Sequence, residues 1–209
     1  MNLLIFGATG GTGRQLVLQA LEAGHHVTAF VRTPAKLALA HPQLRLVQGD
    51  VLDYAAVLAA MPGHDAVLSA LGAPATRKEA VRSTGTRHIL RAMEACGLQR
   101  FICLTTLGMG DSRAALPFTY KYFIVPLFLR SAFADSEIQE RYIRQSPVAW
   151  TIARPGTLTN GSRTGTYHHG FAATATGLKI RISRADVADF MLRQLHETTY
   201  LRQAASLSY

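Results

Sequence analysis

A strand-length apolar run near the start of the chain breaks directly into three evenly spaced glycines. Residues 3–6 are apolar, and the pattern Gly7-x-x-Gly10-x-x-Gly13 then leads into helical periodicity. A strand that turns into a helix in this way offers the free N–H groups and positive dipole of the helix start to a phosphate. Gly7 permits the turn, Gly10 lets a pyrophosphate approach the main chain, and Gly13 lets the helix pack closely on the strand. The feature therefore predicts a dinucleotide-binding α/β fold.

Strand and helix patterns alternate over the first two thirds of the chain. The predicted strands cover residues 2–6, 26–31, 44–48, 65–70, 100–105 and 148–153. The predicted helices cover residues 11–23, 34–40, 53–60, 77–96 and 131–145. Such alternation with short connections indicates a parallel sheet covered on both faces, and right-handed crossovers give it the doubly wound, Rossmann-type order.

The pattern loosens after Pro155. A Gly-, Thr- and Ser-rich stretch, residues 156–183, contains short strand-like pieces near 165–168 and 179–182. A helix is predicted over 186–196 and a closing strand over 204–209. We expect one domain, residues 1–209, in which the C-terminal part is a small insertion covering the substrate at the carboxyl ends of the strands.

Charge and hydropathy exclude several classes of function. The net charge is +9, but the basic residues are dispersed and do not alternate with aromatic residues as in RNA-binding segments, so no nucleic-acid partner is expected. No apolar run reaches the length of a membrane span, and the first strand begins at once, so we expect a cytoplasmic protein without a membrane partner. The adjacent His168 and His169 lack the spacing of a metal site, and no metal is expected.

Arg32 ends the second predicted strand, about twenty residues after the glycine turn. An acidic residue at that place binds a ribose 2′-hydroxyl, whereas an arginine accommodates a 2′-phosphate. Lys36 adds a second positive charge one turn later. The alternative is a solvated arginine at a strand end, but the pair favours NADP(H) over NAD(H) as cofactor.

Two further strand ends carry candidate cofactor-binding residues. Asp50 is placed to accept from the adenine amino group and Val51 to pack on the ring, although a turn with a helix cap explains the same residues. Leu71 and Gly72 end the fourth strand, where a glycine lets the backbone approach a ribose; the alternative is a simple turn.

Thr105 and Thr106 end the fifth predicted strand, close to the point where the strand order reverses. Their hydroxyls are placed to donate hydrogen bonds to a carbonyl group of the substrate or the nicotinamide. The alternative is two threonines chosen for β propensity. We take Thr106 as the candidate catalytic and substrate-orienting residue and Thr105 as a cofactor-binding residue.

The chain lacks the Tyr-x-x-x-Lys pair at the tyrosines nearest the expected active site. The positions four residues after Tyr120, Tyr122 and Tyr142 hold Ile124, Pro126 and Ser146. Reduction of a simple ketone needs a tyrosine whose pKa a neighbouring lysine lowers. An acceptor that stabilises its own anion and takes its proton from water fits better, and flavins, bilins and quinones are of this kind.

Residues 116–129 are unusually apolar and aromatic and follow the strand that carries the two threonines. As a lid they would cover a flat substrate, with Phe118, Tyr120 and Tyr122 as contact residues. Core packing or a face between copies of the chain explains the segment equally well. We expect a monomer or a weak homo-oligomer.

Taken together, these residues resemble the atypical short-chain dehydrogenase/reductase-like proteins with NmrA-like NAD(P)-binding domains, and most nearly the biliverdin IXβ reductase/flavin reductase family. The resemblance covers nearly the whole chain. It is carried by the segments Ile5–Gly13, Val31-Arg32, Gly49–Val51, Asp65–Val67, Leu71-Gly72, Thr105-Thr106, Thr151–Gly156 and Ile182–Ala188.

The resemblance implies a pyrophosphate cradle made by Gly7, Thr9, Gly10, Gly11, Thr12 and Gly13. It implies that Arg32 holds the 2′-phosphate and that Thr105 and Thr106 face the nicotinamide and the substrate. Pro155 and Thr157 are further expected cofactor-binding residues. The chain departs from the family in three ways: Thr106 stands where the family has serine, Thr157 stands where it has histidine, and the segment 107–130 is longer than expected for the family.

The expected function is an NADPH-dependent reduction of a planar conjugated acceptor, a flavin or a biliverdin-type bilin. Two alternatives stay open. One is an NmrA-like redox sensor that binds NADP without turnover, and the other is a quinone or isoflavone-type reductase.

Overall fold

The fold is built on a central sheet of mainly parallel strands. A computed structural model describes residues 1–72, 80–115, 122–123, 127, 129–172, 174–175 and 177–209. Its strands are β1 (Asn2–Phe6), β2 (His26–Val31), β3 (Leu44–Gln48), β4 (Ala66–Ser69), β5 (Arg100–Leu104), β6 (Ala149–Pro155), β7 (Thr157–Thr159), β8 (His168–His169), β9 (Arg181–Ser183) and β10 (Gln203–Ser208). Eight of these form one sheet in the order β3-β2-β1-β4-β5-β6-β10-β8, and β8 alone pairs antiparallel. The doubly wound, Rossmann-type prediction is confirmed.

Helices cover both faces of this sheet, as its alternating side chains require. They are α1 (Gly11–Glu22), α2 (Tyr54–Ala60), α3 (Val81–Ala95), α4 (Arg130–Gln145) and α5 (Arg184–Arg193). Leu3 and Ile5 of β1 join the core under α1 and α5, whereas Leu4 and Phe6 join the core under α2, α3 and α4. No helix within the described ranges is long and apolar enough to cross a membrane.

The predicted helix over residues 34–40 is wrong. The structure has a single 3₁₀ turn, Pro34–Lys36, at this place. Two features of Leu37 explain why the turn ends there. Its side chain is fully buried, and its carbonyl oxygen accepts a hydrogen bond from Nη1 of Arg14 at 2.6 Å. Ala38 then adopts a positive φ of 43°, which a helix cannot continue through.

The C-terminal part of the chain both extends and caps the sheet. Strand β7, which the sequence pattern does not predict, pairs parallel with β9 to form a two-stranded sheet directly after β6. Strand β10 returns to lie parallel to β6, and β8 adds an antiparallel edge. The segment therefore supplies backbone at the carboxyl end of β6, where ligands bind in folds of this type.

Asp186 fastens the C-terminal segment to the start of α5. The side chain is fully buried and accepts hydrogen bonds from the backbone N–H groups of Thr164 at 2.7 Å and Gly165 at 2.9 Å. The Tyr209 hydroxyl donates to the same carboxylate at 2.5 Å. Burial by itself would raise the pKa of Asp186, but the hydrogen bonds from Tyr209, Gly165 and Thr164 lower it. The carboxylate is therefore held ionised.

We predict that Asp186→Asn lowers the free energy of unfolding by about 2–3 kcal/mol at neutral pH, because the amide cannot accept from every donor. The lowered folded-state pKa means that the stabilisation is complete above the unfolded pKa, about 4, and is lost as pH falls through the folded value. Denaturant unfolding at several pH values should show the mutant deficit shrinking below pH ~4.

Asp53→Asn is the control, since this exposed N-cap of α2 can be replaced by asparagine at little cost. A deficit for Asp186→Asn that does not change with pH would show that the charge plays no part.

Candidate functional site

The turn from β1 to α1, residues 7–13 and here called the glycine turn, is closed so tightly that side chains do not fit at two of its positions. Gly7 has a φ of +78°, and a Cβ there would lie 2.4 Å from the Ala70 carbonyl oxygen. A Cβ on Gly13 would lie 2.0 Å from the Gly7 carbonyl oxygen. Gly10 begins the helix without a side-chain cap, and the first turn holds no acidic residue. The helix start is therefore available to an anion.

Arg184 lies directly over this turn and was missed at the sequence level. A Cβ on Gly11 would lie only 2.6 Å from Cδ of Arg184, so the arginine side chain crosses the glycine in van der Waals contact. Nη1 of Arg184 donates to Oδ1 of Asn160 at 2.6 Å, which fixes the guanidinium. A cation thus stands beside the start of α1. Arg184 belongs to the Ile182–Ala188 segment, but no local pattern relates that segment to Gly11.

Arg32 and Lys36 are exposed and follow β2. Neither forms a salt bridge with any residue that the structure describes. The bond from Arg14 to the Leu37 carbonyl fixes the end of the 3₁₀ turn that carries Lys36. Both charges remain available to a ligand phosphate.

Residues after β3 and β4 meet above α3. A Cβ on Gly85 would lie 2.9 Å from the Val51 side chain and 3.0 Å from that of Leu71, so both side chains rest on this helix glycine. Asp50 is exposed, and its Oδ1 accepts from the Leu52 N–H at 3.0 Å, which is the turn-forming bond of the alternative interpretation. Gly72 is also exposed.

The ends of β5 and β6 enclose a cavity of about 310 Å³, here called the threonine cavity. It is lined by Thr105, Thr106, Leu107, Leu129, Phe133, Pro155, Gly156, Thr157, Leu158, Ile180 and Arg184. The structure thus brings together Thr105, Thr106, Pro155 and Thr157, four residues named from the sequence. It adds apolar walls from α4 and the C-terminal segment, and Arg184 joins the cavity to the glycine turn.

Of the expected lid, residues 116–129, Leu129 lines this cavity, but none of the three aromatic contact residues is among the described lining. Tyr122 is 54% exposed and is absent from the described lining. Phe118 and Tyr120 lie outside the described residues.

A buried ion pair lies behind Thr105. Arg154, only 1% exposed, binds Glu140 through Nε at 2.9 Å and Nη2 at 2.6 Å, and it also binds Asp111 through Nη1 at 2.6 Å. The Thr105 hydroxyl donates to Oε1 of Glu140 at 2.8 Å. We call these four residues the Glu140 network. The expectation that Thr105 donates to a ligand carbonyl needs correction, because its single proton is already directed at Glu140.

Comparisons with known proteins define the family to which the chain belongs. Residues 7–198 match the NAD(P)H-binding family. The chain belongs to this family. It is 33% identical over 140 residues to a 3β-hydroxysteroid dehydrogenase/Δ5→4-isomerase of Mycobacterium tuberculosis, covering 58% of this chain and 38% of that protein. In two other curated relatives the matched region covers 61% and 35% of the protein, so the chain spans only part of the length of these relatives.

Two solved structures extend the comparison to the whole chain. ChuY, an anaerobilin reductase from Escherichia coli O157:H7, has a TM-score of 0.81 and 26% identity, covering 99% of this chain and 96% of that one. A short-chain dehydrogenase/reductase from Veillonella parvula in complex with NADP has a TM-score of 0.81 and 17% identity, covering 100% of this chain and 94% of that one. The second likeness concerns the fold alone. The glycine turn fits the cofactor of this family, since the start of α1 has no side-chain cap and no acidic residue in its first turn and can therefore accept a pyrophosphate.

The charges in the Glu140 network support one another. Burial would lower the pKa of Arg154, but the bonds to Glu140 and Asp111 raise it overall. The hydrogen bond from Arg154 in turn holds the pKa of Asp111 below its usual range. The arginine is therefore charged at neutral pH, and its charge is balanced within the protein.

A larger groove of about 770 Å³ lies on the other side of this network. Its described lining includes Glu137, Arg141, Arg144 and Arg202 but no residue of the glycine turn or the threonine cavity. The threonine cavity, which adjoins the glycine turn through Arg184, is therefore the candidate site for a substrate of this NAD(P)H-binding protein.

We predict that Arg154→Met lowers the free energy of unfolding by about 3–5 kcal/mol, because the buried Glu140 carboxylate loses the cation that binds both its oxygens and keeps only the half-exposed Arg144, 3.7 Å away. Arg163→Met is the matched control. Arg163 pairs with Glu22 at 3.5 Å on the surface, with both side chains about half exposed or more, so its loss should cost at most ~1 kcal/mol. Similar losses for the two variants in denaturant unfolding would contradict the prediction.

Proposed function

We propose that the protein is an NADPH-dependent reductase that transfers a hydride to a planar conjugated acceptor, a flavin or a biliverdin-type bilin. The observation that carries the proposal is the chemistry of the threonine cavity. Among its described lining residues, only Arg184 ionises, and none is a tyrosine, histidine, lysine or carboxylic acid that could donate a proton near neutral pH. An acceptor that stabilises its own anion and is protonated by water suits such a cavity.

The apolar lining of the cavity and one similar solved structure support the same choice. Leu129, Phe133, Leu158 and Ile180 give it apolar walls, and its volume is at the lower end of small-molecule sites. ChuY, an anaerobilin reductase, is similar over almost the whole length of both chains.

In this reaction the protein's own residues have the following roles. The glycine turn and the Arg184 guanidinium hold the pyrophosphate, and Arg32 with Lys36 holds the 2′-phosphate. Asp50, Val51, Leu71 and Gly72 border the adenosine, and Thr105, Pro155 and Thr157 border the nicotinamide. When bound, the reduced nicotinamide supplies the hydride. Thr106 orients the acceptor, and the apolar walls hold it in place, so that proximity does most of the catalysis.

We predict that Arg32→Ala raises the dissociation constant for NADPH about 10- to 100-fold and leaves that for NADH unchanged, since only NADPH carries the 2′-phosphate. Fluorescence titration of both cofactors measures the difference. Arg45→Ala is the control, because Arg45 is an exposed arginine on the neighbouring strand β3. Equal losses for the two cofactors would remove the phosphate role from Arg32.

NADPH consumption with flavin mononucleotide, biliverdin and a simple quinone tests the reaction. We expect turnover with the flavin or the bilin, lowered about tenfold in Thr106→Val and retained in Thr106→Ser, which keeps the hydroxyl. Turnover with the quinone alone would favour the quinone-reductase alternative. No turnover with any acceptor, together with equal affinity for NADP⁺ and NADPH, would favour the redox sensor, for which the described lining without an acid is equally suitable.

A further inference from the structure

The two neighbouring hydroxyls at the end of β5 have opposite hydrogen-bonding capacity toward the threonine cavity. Thr105 gives its only proton to Glu140 at 2.8 Å, so its oxygen has only lone pairs left for a ligand. The nearest described acceptor for the Thr106 hydroxyl is the Leu107 carbonyl at 3.4 Å, close to the upper limit for a hydrogen bond. The Thr106 proton therefore remains available. Both residues line the same cavity.

The direction of the Thr105 proton is fixed from behind. Arg154 grips both oxygens of the Glu140 carboxylate, at 2.9 Å and 2.6 Å, and both side chains are buried. A carboxylate in this state can only accept, so it holds the hydroxyl proton in a charge-assisted bond. Turning that proton toward the cavity would leave part of a buried charge unsatisfied.

We propose that Thr105 and Thr106 form an acceptor–donor pair that binds a CO–NH unit of the ligand, with Thr105 accepting from its N–H and Thr106 donating to its carbonyl. Glu140 is then a positioning residue that sets this polarity through Thr105. The inference rests on the proposed function insofar as it takes the threonine cavity as the ligand site. Three ligand groups of the proposed reaction contain a CO–NH unit: the carboxamide of nicotinamide, the lactam of a bilin end ring and the imide edge of a flavin.

The test compares each ligand with an analogue that has lost the N–H. The pairs are NADP⁺ with its 3-acetylpyridine analogue, flavin mononucleotide with its N3-methyl derivative, and biliverdin with its lactam N-methyl derivative, and all three analogues keep the carbonyl group. Calorimetry gives the dissociation constants, with the two acceptors titrated into protein saturated with NADP⁺. The pair that shows a preference identifies which ligand carries the unit.

In the wild-type protein we expect at least one parent compound to bind about tenfold tighter than its analogue. Thr105→Val, which keeps the shape but removes the hydroxyl, should abolish that preference, and Thr105→Ser should retain it. Glu140→Gln should abolish or reverse it, since the glutamine amide can donate to Thr105 and release the hydroxyl proton toward the cavity. Thermal unfolding shows whether each variant is folded.

Equal affinity for all three pairs in the wild type would overturn the inference, and so would a full preference in folded Thr105→Val. The measured quantities are dissociation constants, so this test does not depend on whether the protein turns over any acceptor. Tighter binding of NADP⁺ than of its analogue, without reduction of any acceptor, would support the acceptor–donor role of the two threonines and reject the reductase. Turnover without any preference for a parent compound would support the reductase and reject the acceptor–donor role.

Discussion

The ion pair between Arg154 and Glu140 is the interaction on which the candidate site depends. It joins strand β6 to helix α4. Glu140 binds Thr105 on one side, and Arg154 binds Asp111 on the other. Two buried charges are costly to desolvate, and removing either partner leaves the other charge buried without compensation. The pair is tolerated here because both Glu140 oxygens and all three Arg154 nitrogens have partners.

Most of the sheet follows from local pattern. The strand, turn and helix at residues 2–22 follow one local pattern, and Gly13 is needed because the Gly7 carbonyl lies close to it. Gly7 itself makes room for Ala70, a residue of a distant part of the chain. The failed helix at 34–40 shows the limit of that approach. Its end is decided by Arg14, a residue of another helix, which takes the Leu37 carbonyl that a helical turn would have used.

The candidate site divides in the same way. Thr105 and Thr106 could be placed from the sequence because parallel strands end at a common edge, whereas Pro155 and Thr157 were named through the family resemblance. Strand β7 escaped prediction because three residues carry too little periodicity, and its pairing with β9 depends on a distant segment. Arg184 and Glu140 escaped for a related reason: each acts across a helix-to-turn or helix-to-strand contact that no spacing in the sequence records.

The contact between Gly11 and Arg184 couples the two ends of the chain. Any side chain at position 11 would occupy the space through which the arginine passes, since even a Cβ would come within 2.6 Å of Cδ. Positions 11 and 184 are therefore constrained as a pair and not singly. Across homologous sequences, a larger residue at position 11 should be accompanied by a shorter one at position 184, so that covariation between them would record this contact.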